Sequence, residues 1–252
     1  MAINFTKVFQ DSWNFVRNTR QVTFTFTLFF SLNQICISLF SSFILPNRSS
    51  SQNAEQFVET LTLSSDNMLL VSAILMSEAI SFLLSLWCLT TIHQISKGTL
   101  IQNSPLAFAM KRFWGALFIN ILVLAPLLLS LSDIAASVLL LKVQPSFFSL
   151  IALSVGIYLF IRCCLAYLYY LLNPVTVRQA FRDSWLAGTG RVSMLFLYCL
   201  IIYFALPMLI RQLYSLNSNL IFELFASLIF AFVTVFSLVF TYRFYTLFMN
   251  KA

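Results

Sequence analysis

The sequence predicts an all-α, polytopic membrane protein with six transmembrane helices. Three observations predict it. Hydrophobic residues make up 60% of the 252 and charged residues only 9%, whereas a soluble domain carries about 25% charged residues to coat its surface. The apolar residues gather into six runs, each near the roughly 20 residues that cross a bilayer core. The few charges lie mostly between those runs.

Taken in order, the runs cover roughly 22–45, 68–95, 115–140, 146–172, 191–214 and 219–248. The first fifteen residues are polar and amphipathic, without the short apolar stretch and small-residue cleavage site of a signal peptide. Placing the amino terminus in the cytoplasm puts eleven Lys and Arg residues on that side: Lys7, Arg17, Arg20, Lys97, Lys111, Arg112, Arg178, Arg182, Arg191, Arg243 and Lys251. Three, Arg48, Lys142 and Arg211, fall on the other side. The positive-inside rule therefore places both termini in the cytoplasm. The segment 46–67 is the longest external loop and reads as a solvated connection.

Two strings repeat. Phe9-Gln10-Asp11-Ser12-Trp13 precedes the first run, and Phe181-Arg182-Asp183-Ser184-Trp185 precedes the fifth. In each, the Phe and Trp are four residues apart and share one helix face. Phe5, Val8 and Val16 continue that stripe in the first copy, and Val177, Ala180 and Gly188 in the second. A degenerate third copy precedes the third run, with Met110 and Trp114 at the same spacing and Leu106 extending the face. Ser104-Pro105 and Asn173-Pro174 read as helix starts, a capping side chain ahead of proline at the first helical position. The expected architecture is one membrane domain over 1–252, built of three units: about 1–96, 97–172 and 173–252. Each unit is an amphipathic interfacial helix followed by a two-span hairpin. The interfacial helices should bury aromatic residues at headgroup depth while Lys and Arg reach anionic headgroups.

Ionisable residues inside spans are costly and are functional candidates by default. Glu78 falls midway along the second span and Arg162 a little past the middle of the fourth. Both are expected to face the bundle interior, and a mutual ion pair is one arrangement. Glu78 as a protonated carboxyl among Ser72, Ser77, Ser81 and Ser85 is the other. Asn33 and Asn120 are further intramembrane polar residues, expected to be satisfied by neighbouring helices. Pro126 and Pro207 should kink the third and fifth spans.

Catalytic constellations are missing from the sequence: no HExxH, no GxSxG, no close carboxylate pair, and one histidine, His93, at the edge of a span. Five glycines are too few for a phosphate cradle. The five cysteines lie inside apolar runs without CxxC spacing and read as buried thiols. The expectation is a protein that is not an enzyme, with no metal, no cofactor and no nucleic-acid partner. Its charge of +7 serves topology and the lipid surface. Two functions compete. One is envelope organisation or a partner-binding membrane subunit, and the other is a small permease or lipid-handling protein with a polar path near Glu78 and Arg162.

The opening FQDSWNFVRN, the segment AFRDSWLAGTGRVSMLFL and the closing YRFYTLFM together resemble the YciC-like family of bacterial inner-membrane proteins, whose function is uncharacterised. The resemblance implies the inner membrane of a Gram-negative bacterium and no established activity. The segment around Ser184 and Trp185 is also distantly similar to the membrane domain of some glycerophosphodiester phosphodiesterases. Their catalytic barrel has no counterpart in this sequence, so the likeness implies no hydrolytic residues.

Overall fold

A computed structural model describes residues 4–44, 65–98, 104–137, 144, 146–215 and 220–249. All of its regular structure in these residues is helical. Six helical stretches are long and apolar enough to cross a membrane: Arg20–Phe40, Val71–Lys97, Pro105–Ala135, Phe147–Leu172, Val192–Leu213 and Leu224–Met249. They match the six runs, and the multi-pass membrane architecture follows.

Helix α1, Phe5–Asn18, starts at Asn4, whose side chain accepts from the Thr6 and Lys7 amides. This satisfies two of the amides that every helix start leaves without partners. At Thr19 the backbone leaves helical geometry for one residue, and α2, Arg20–Ile44, forms the first span. The second span is α3, Ser65–Lys97. It ends at Gly98, where φ of +68° requires a residue without a Cβ.

The third span is α4, Pro105–Ala135. Here the structure departs from the sequence reading: Met110 and Trp114 do not sit on a separate interfacial helix. They occupy the opening turns of an unbroken 31-residue helix. Pro105 sits at the first helical position, where its missing N–H costs nothing, but the Ser104 side chain makes no cap.

The fourth span consists of α5, Phe147–Cys163, and α6, Ala166–Leu172, broken by a turn at Cys164 and Leu165. The next helix does not begin at Asn173-Pro174 as expected. Asn173 instead closes α6, and its amide donates to Tyr169 O (3.0 Å) and Tyr245 Oη (2.8 Å). The cap falls to Thr176, which forms a reciprocal capping box with Gln179 at the head of α7, Val177–Ala187. The fifth span comprises α8, Val192–Cys199, a π-helical stretch over Leu200–Ala205, and α9, Leu206–Ser215. Pro207 has no N–H for the Tyr203 carbonyl, and the wider π turn lies immediately before it. Helix α10, Leu220–Met249, is the last span.

The spans close a ring. Each packs on the next in sequence, and α10 packs on α2 to complete the circuit. Helix α3 also reaches α10 and α6, so the even-numbered spans converge at the end that carries both termini. The main core lies there: Leu86, Leu89 and Ile92 of α3, Leu168 and Leu171 of α6, and Val239, Phe244 and Phe248 of α10. The leading segments interlock the circuit. Helix α1 packs on α10, the last span. The start of α4 packs on α3, where Thr90 Oγ1 donates to Pro105 O at 3.1 Å. Helix α7 packs on α5 and α6. Each thus lies against the span that precedes it around the ring.

Candidate functional site

The two repeated strings fold alike. In both, the inward residue is the serine: Ser12 is 0% exposed and Ser184 4%. Val8 and Ala180, one turn earlier, are fully buried with them. The Phe and Trp positions, expected to lead the buried stripe, lie at its edge. Phe9 and Trp13 are half-exposed and meet the ring of Phe236 on α10 edge-on, with centroids 5.1 and 6.4 Å away. Phe181 is half-buried and Trp185 exposed. A small residue at the contact lets a helix lie close on its neighbour, which explains why both copies keep a serine there. Asp183 accepts from Tyr169 Oη at 3.1 Å, tying α7 to α6, whereas Asp11 is half-buried on α1. In the degenerate copy Met110 is exposed and Trp114 is 76% exposed.

Arg162 is buried, with 7% of its surface exposed. Its guanidinium donates to Gly188 O at 2.9 Å and Thr189 Oγ1 at 3.4 Å, and lies 4.4 Å from the ring centroid of Trp185. Among the described residues its Nε has no partner. The planar cation therefore pins the turn after α7, using the tryptophan of the second repeat as its platform.

Glu78 is placed otherwise than expected. It is exposed on the flank of the bundle, lining a groove of about 400 Å³ with Ser81, Ser85, Leu117 and Asn120. Glu78 faces outward because the inward side of α3 at this level meets α2: Asn33 Nδ2 donates to Ser77 O (3.2 Å), Ser77 Oγ (3.2 Å) and Ser81 Oγ (2.8 Å). The serines expected around the carboxyl are thus engaged elsewhere, Ser85 bonding Ser81 O and Ser72 bonding Leu69 O. Glu78 and Arg162 are not brought together. Among the described residues Arg162 forms no ion pair with Glu78, and its guanidinium is committed to the turn after α7.

Beside the Glu78 groove lies a cavity that the sequence reading did not find. It measures about 340 Å³ and is enclosed by α3, α4, both parts of the fourth span, the π-helical stretch and α10. Its polar lining is Ser85, Asn120, Tyr167, Tyr203, Thr234, Ser237 and Thr241, and no lining residue is charged. Thr234 Oγ1 donates to Phe230 O (2.9 Å) and Ser237 Oγ to Val233 O (2.8 Å). With their protons given to their own helix, these hydroxyls keep lone pairs for a guest. Tyr198 Oη and Thr241 Oγ1 share a bond of 2.9 Å at the cavity edge. Asn120 has no hydrogen-bond partner among the described residues, and it lines both the cavity and the Glu78 groove, as do Ser85 and Phe82. The two spaces share that wall. A polar stripe at 234, 237 and 241 on one face of the last run was the available signal.

A protein of Haemophilus influenzae whose curated name is "Uncharacterized protein" is 34% identical over 256 residues, covering 99% of this chain and 100% of the relative. No protein-family model matches the chain, and no solved structure matches it. A likeness of that extent, over the full length of both proteins, establishes kinship: the chain belongs to the bacterial family of that uncharacterised protein.

Proposed function

We propose that this membrane protein is a small permease, not an enzyme, for a compact solute or lipid moiety rich in hydrogen-bond donors. One observation carries the reading: an uncharged cavity, lined by five of the six spans, whose mainly apolar wall carries seven polar side chains and adjoins a flank groove that holds Glu78. Unpaired polar groups are expensive in a membrane interior. Asn120, whose amide has no partner among the described residues, and the hydroxyls that keep lone pairs beside it suit a guest that hydrogen-bonds them. The π-helical stretch supplies Ile202 and Tyr203 to the lining, and such stretches are frequent at functional sites. The polar path runs by Glu78 and Asn120. Arg162 serves the fold instead.

The charge bias of eleven to three supports an inner-membrane orientation with both termini cytoplasmic. The F-x-D-S-W strings support grouping the chain with YciC-like proteins. A partner-binding role is the second reading, favoured by Met110 and Trp114, the repeat positions that the bundle leaves most open.

Cysteine accessibility tests the first reading. In a background with Cys36, Cys88, Cys163, Cys164 and Cys199 replaced by Ala, Asn120→Cys and Ser237→Cys are reacted with an impermeant thiol reagent in sealed vesicles of each orientation. Labelling from both sides is the expected result. Labelling from one side only makes the cavity a binding pocket and rejects transport, and protection from both sides rejects the cavity as a site.

A further inference from the structure

A larger cleft lies elsewhere, and it has a different chemistry. Spans three and four pack closely where Gly156 faces Pro126 and Leu127: a Cβ on Gly156 would stand 2.9 Å from the Leu127 amide nitrogen. The two spans stay in contact as far as the end bearing the termini, where Arg112 donates to Tyr170 O and Asn173 O, and α7 lies beside them on the flank. The result is a groove of about 630 Å³ between α4, α5 and α7. Its walls are apolar, from Leu122, Pro126, Leu159, Phe181 and Leu186, with Trp185 beside them. One charged side chain lines it, Arg182.

We propose that this groove seats an acyl chain of an anionic phospholipid whose phosphate rests on Arg182. Five observations converge. The cleft opens on the outer flank of a ring of membrane spans, so the medium facing it is lipid. Its depth is hydrocarbon, which excludes a polar solute. The guanidinium of Arg182 has no hydrogen-bond or ion-pair partner among the described residues, and Arg178, one turn earlier on the same helix, is likewise exposed. The neighbouring carboxylate does not cancel this charge locally, since Asp183 is turned to Tyr169 Oη. Helix α7 is amphipathic and sits at the end of the bundle richest in Lys and Arg, the depth at which tryptophan and arginine meet headgroups. Trp185, held from behind by Arg162 at 4.4 Å, gives the groove a fixed wall. The groove shares Val123 and Cys163 with the permease cavity but none of the hydroxyl or amide groups invoked there, so the two readings stand or fall separately.

The test uses the full-length protein in detergent, titrated with phosphatidylglycerol and with phosphatidylcholine of identical acyl chains, and native mass spectrometry to count retained lipids. The wild type should retain one phosphatidylglycerol in preference to phosphatidylcholine. Arg182→Gln should lower that preference roughly fivefold, the effect of one cation near a phosphate surface, and Arg182→Lys should restore most of it. Leu159→Trp, which fills the groove, should abolish retention of both lipids without changing the thermal unfolding midpoint. If Leu159→Trp misfolds, the Arg182 pair decides alone, because that side chain is exposed. Equal retention of the two lipids by the wild type overturns the proposal. So does an equal loss of preference in Arg17→Gln, which would make the effect diffuse surface charge. A dimer that forms at the expense of bound lipid overturns it too, by showing a second copy over the groove. Asn120→Leu, at a residue that lines the permease cavity and the Glu78 groove but not this cleft, should leave retention untouched.

Discussion

Replacing Arg162 and Trp185 singly and together measures how much a buried cation contributes when an indole is its main neighbour. The guanidinium makes one short bond, to Gly188 O at 2.9 Å, and one weaker bond to Thr189. A hydrogen bond from a charged donor contributes about 1.5–3 kcal/mol. Stacking on Trp185 at 4.4 Å contributes roughly 2 kcal/mol when desolvated. Arg162→Leu also removes the cost of burying the charge, so its net loss is about 1–3 kcal/mol, set by the Gly188 carbonyl left without its donor. Trp185→Leu leaves the cation buried without its platform and should lose about 2 kcal/mol. The double variant should lose less than the sum, with a coupling of about 1–2 kcal/mol. Reversible unfolding in mixed micelles gives all four free energies. A coupling under about 0.5 kcal/mol, the ordinary scatter of additivity, would refute the claim that Trp185 holds the guanidinium.

Two further outcomes follow from close contacts. Ser12→Leu and Ser184→Leu should each destabilise by about 1–3 kcal/mol through overpacking. The alanine variants should separate. Ser12→Ala is near neutral because its hydroxyl bonds its own helix at Val8 O, and Ser184→Ala is neutral or stabilising because its buried hydroxyl has no partner. Destabilisation by both alanines in the same unfolding assay would show that the hydroxyls, not the small volume, matter. Gly156→Val should push α4 from α5, lowering stability by about 1–3 kcal/mol. An unchanged midpoint would mean the two spans are not held at that contact.

The six spans were legible because hydropathy and length are properties of single segments. So was the inward serine in principle, since Val8 with Ser12 and Ala180 with Ser184 mark one stripe, though the larger Phe and Trp mark a competing one beside it. The direction of Glu78 was not legible. Helix α3 is apolar on nearly every face at that level, so no pattern selects which side meets α2 and which meets lipid. The cavity was hidden for a related reason. Thr234, Ser237 and Thr241 are hydroxyls that any membrane helix can bond to its own backbone, and only the positions of Asn120 and Tyr203 on other spans turn them into a lining. Helix α7 starts three residues later than the sequence pattern indicates because Asn173, a good cap, is drawn to Tyr245, 72 residues away in sequence.

The ring closes by laying the first helix on the last. Phe5 stacks on Phe244, and Val8 and Phe15 are buried in the same core. During synthesis, those side chains have no permanent neighbour until the final span leaves the ribosome. At 5–20 residues per second, that wait is roughly 10–50 s. For that interval α1 can only float on the membrane surface, held by its own amphipathic face, while five spans insert ahead of its mate. A chain truncated before residue 236 would never release it, and the exposed Phe5, Val8 and Phe15 would mark the unfinished protein for whatever surveys the membrane for incomplete chains.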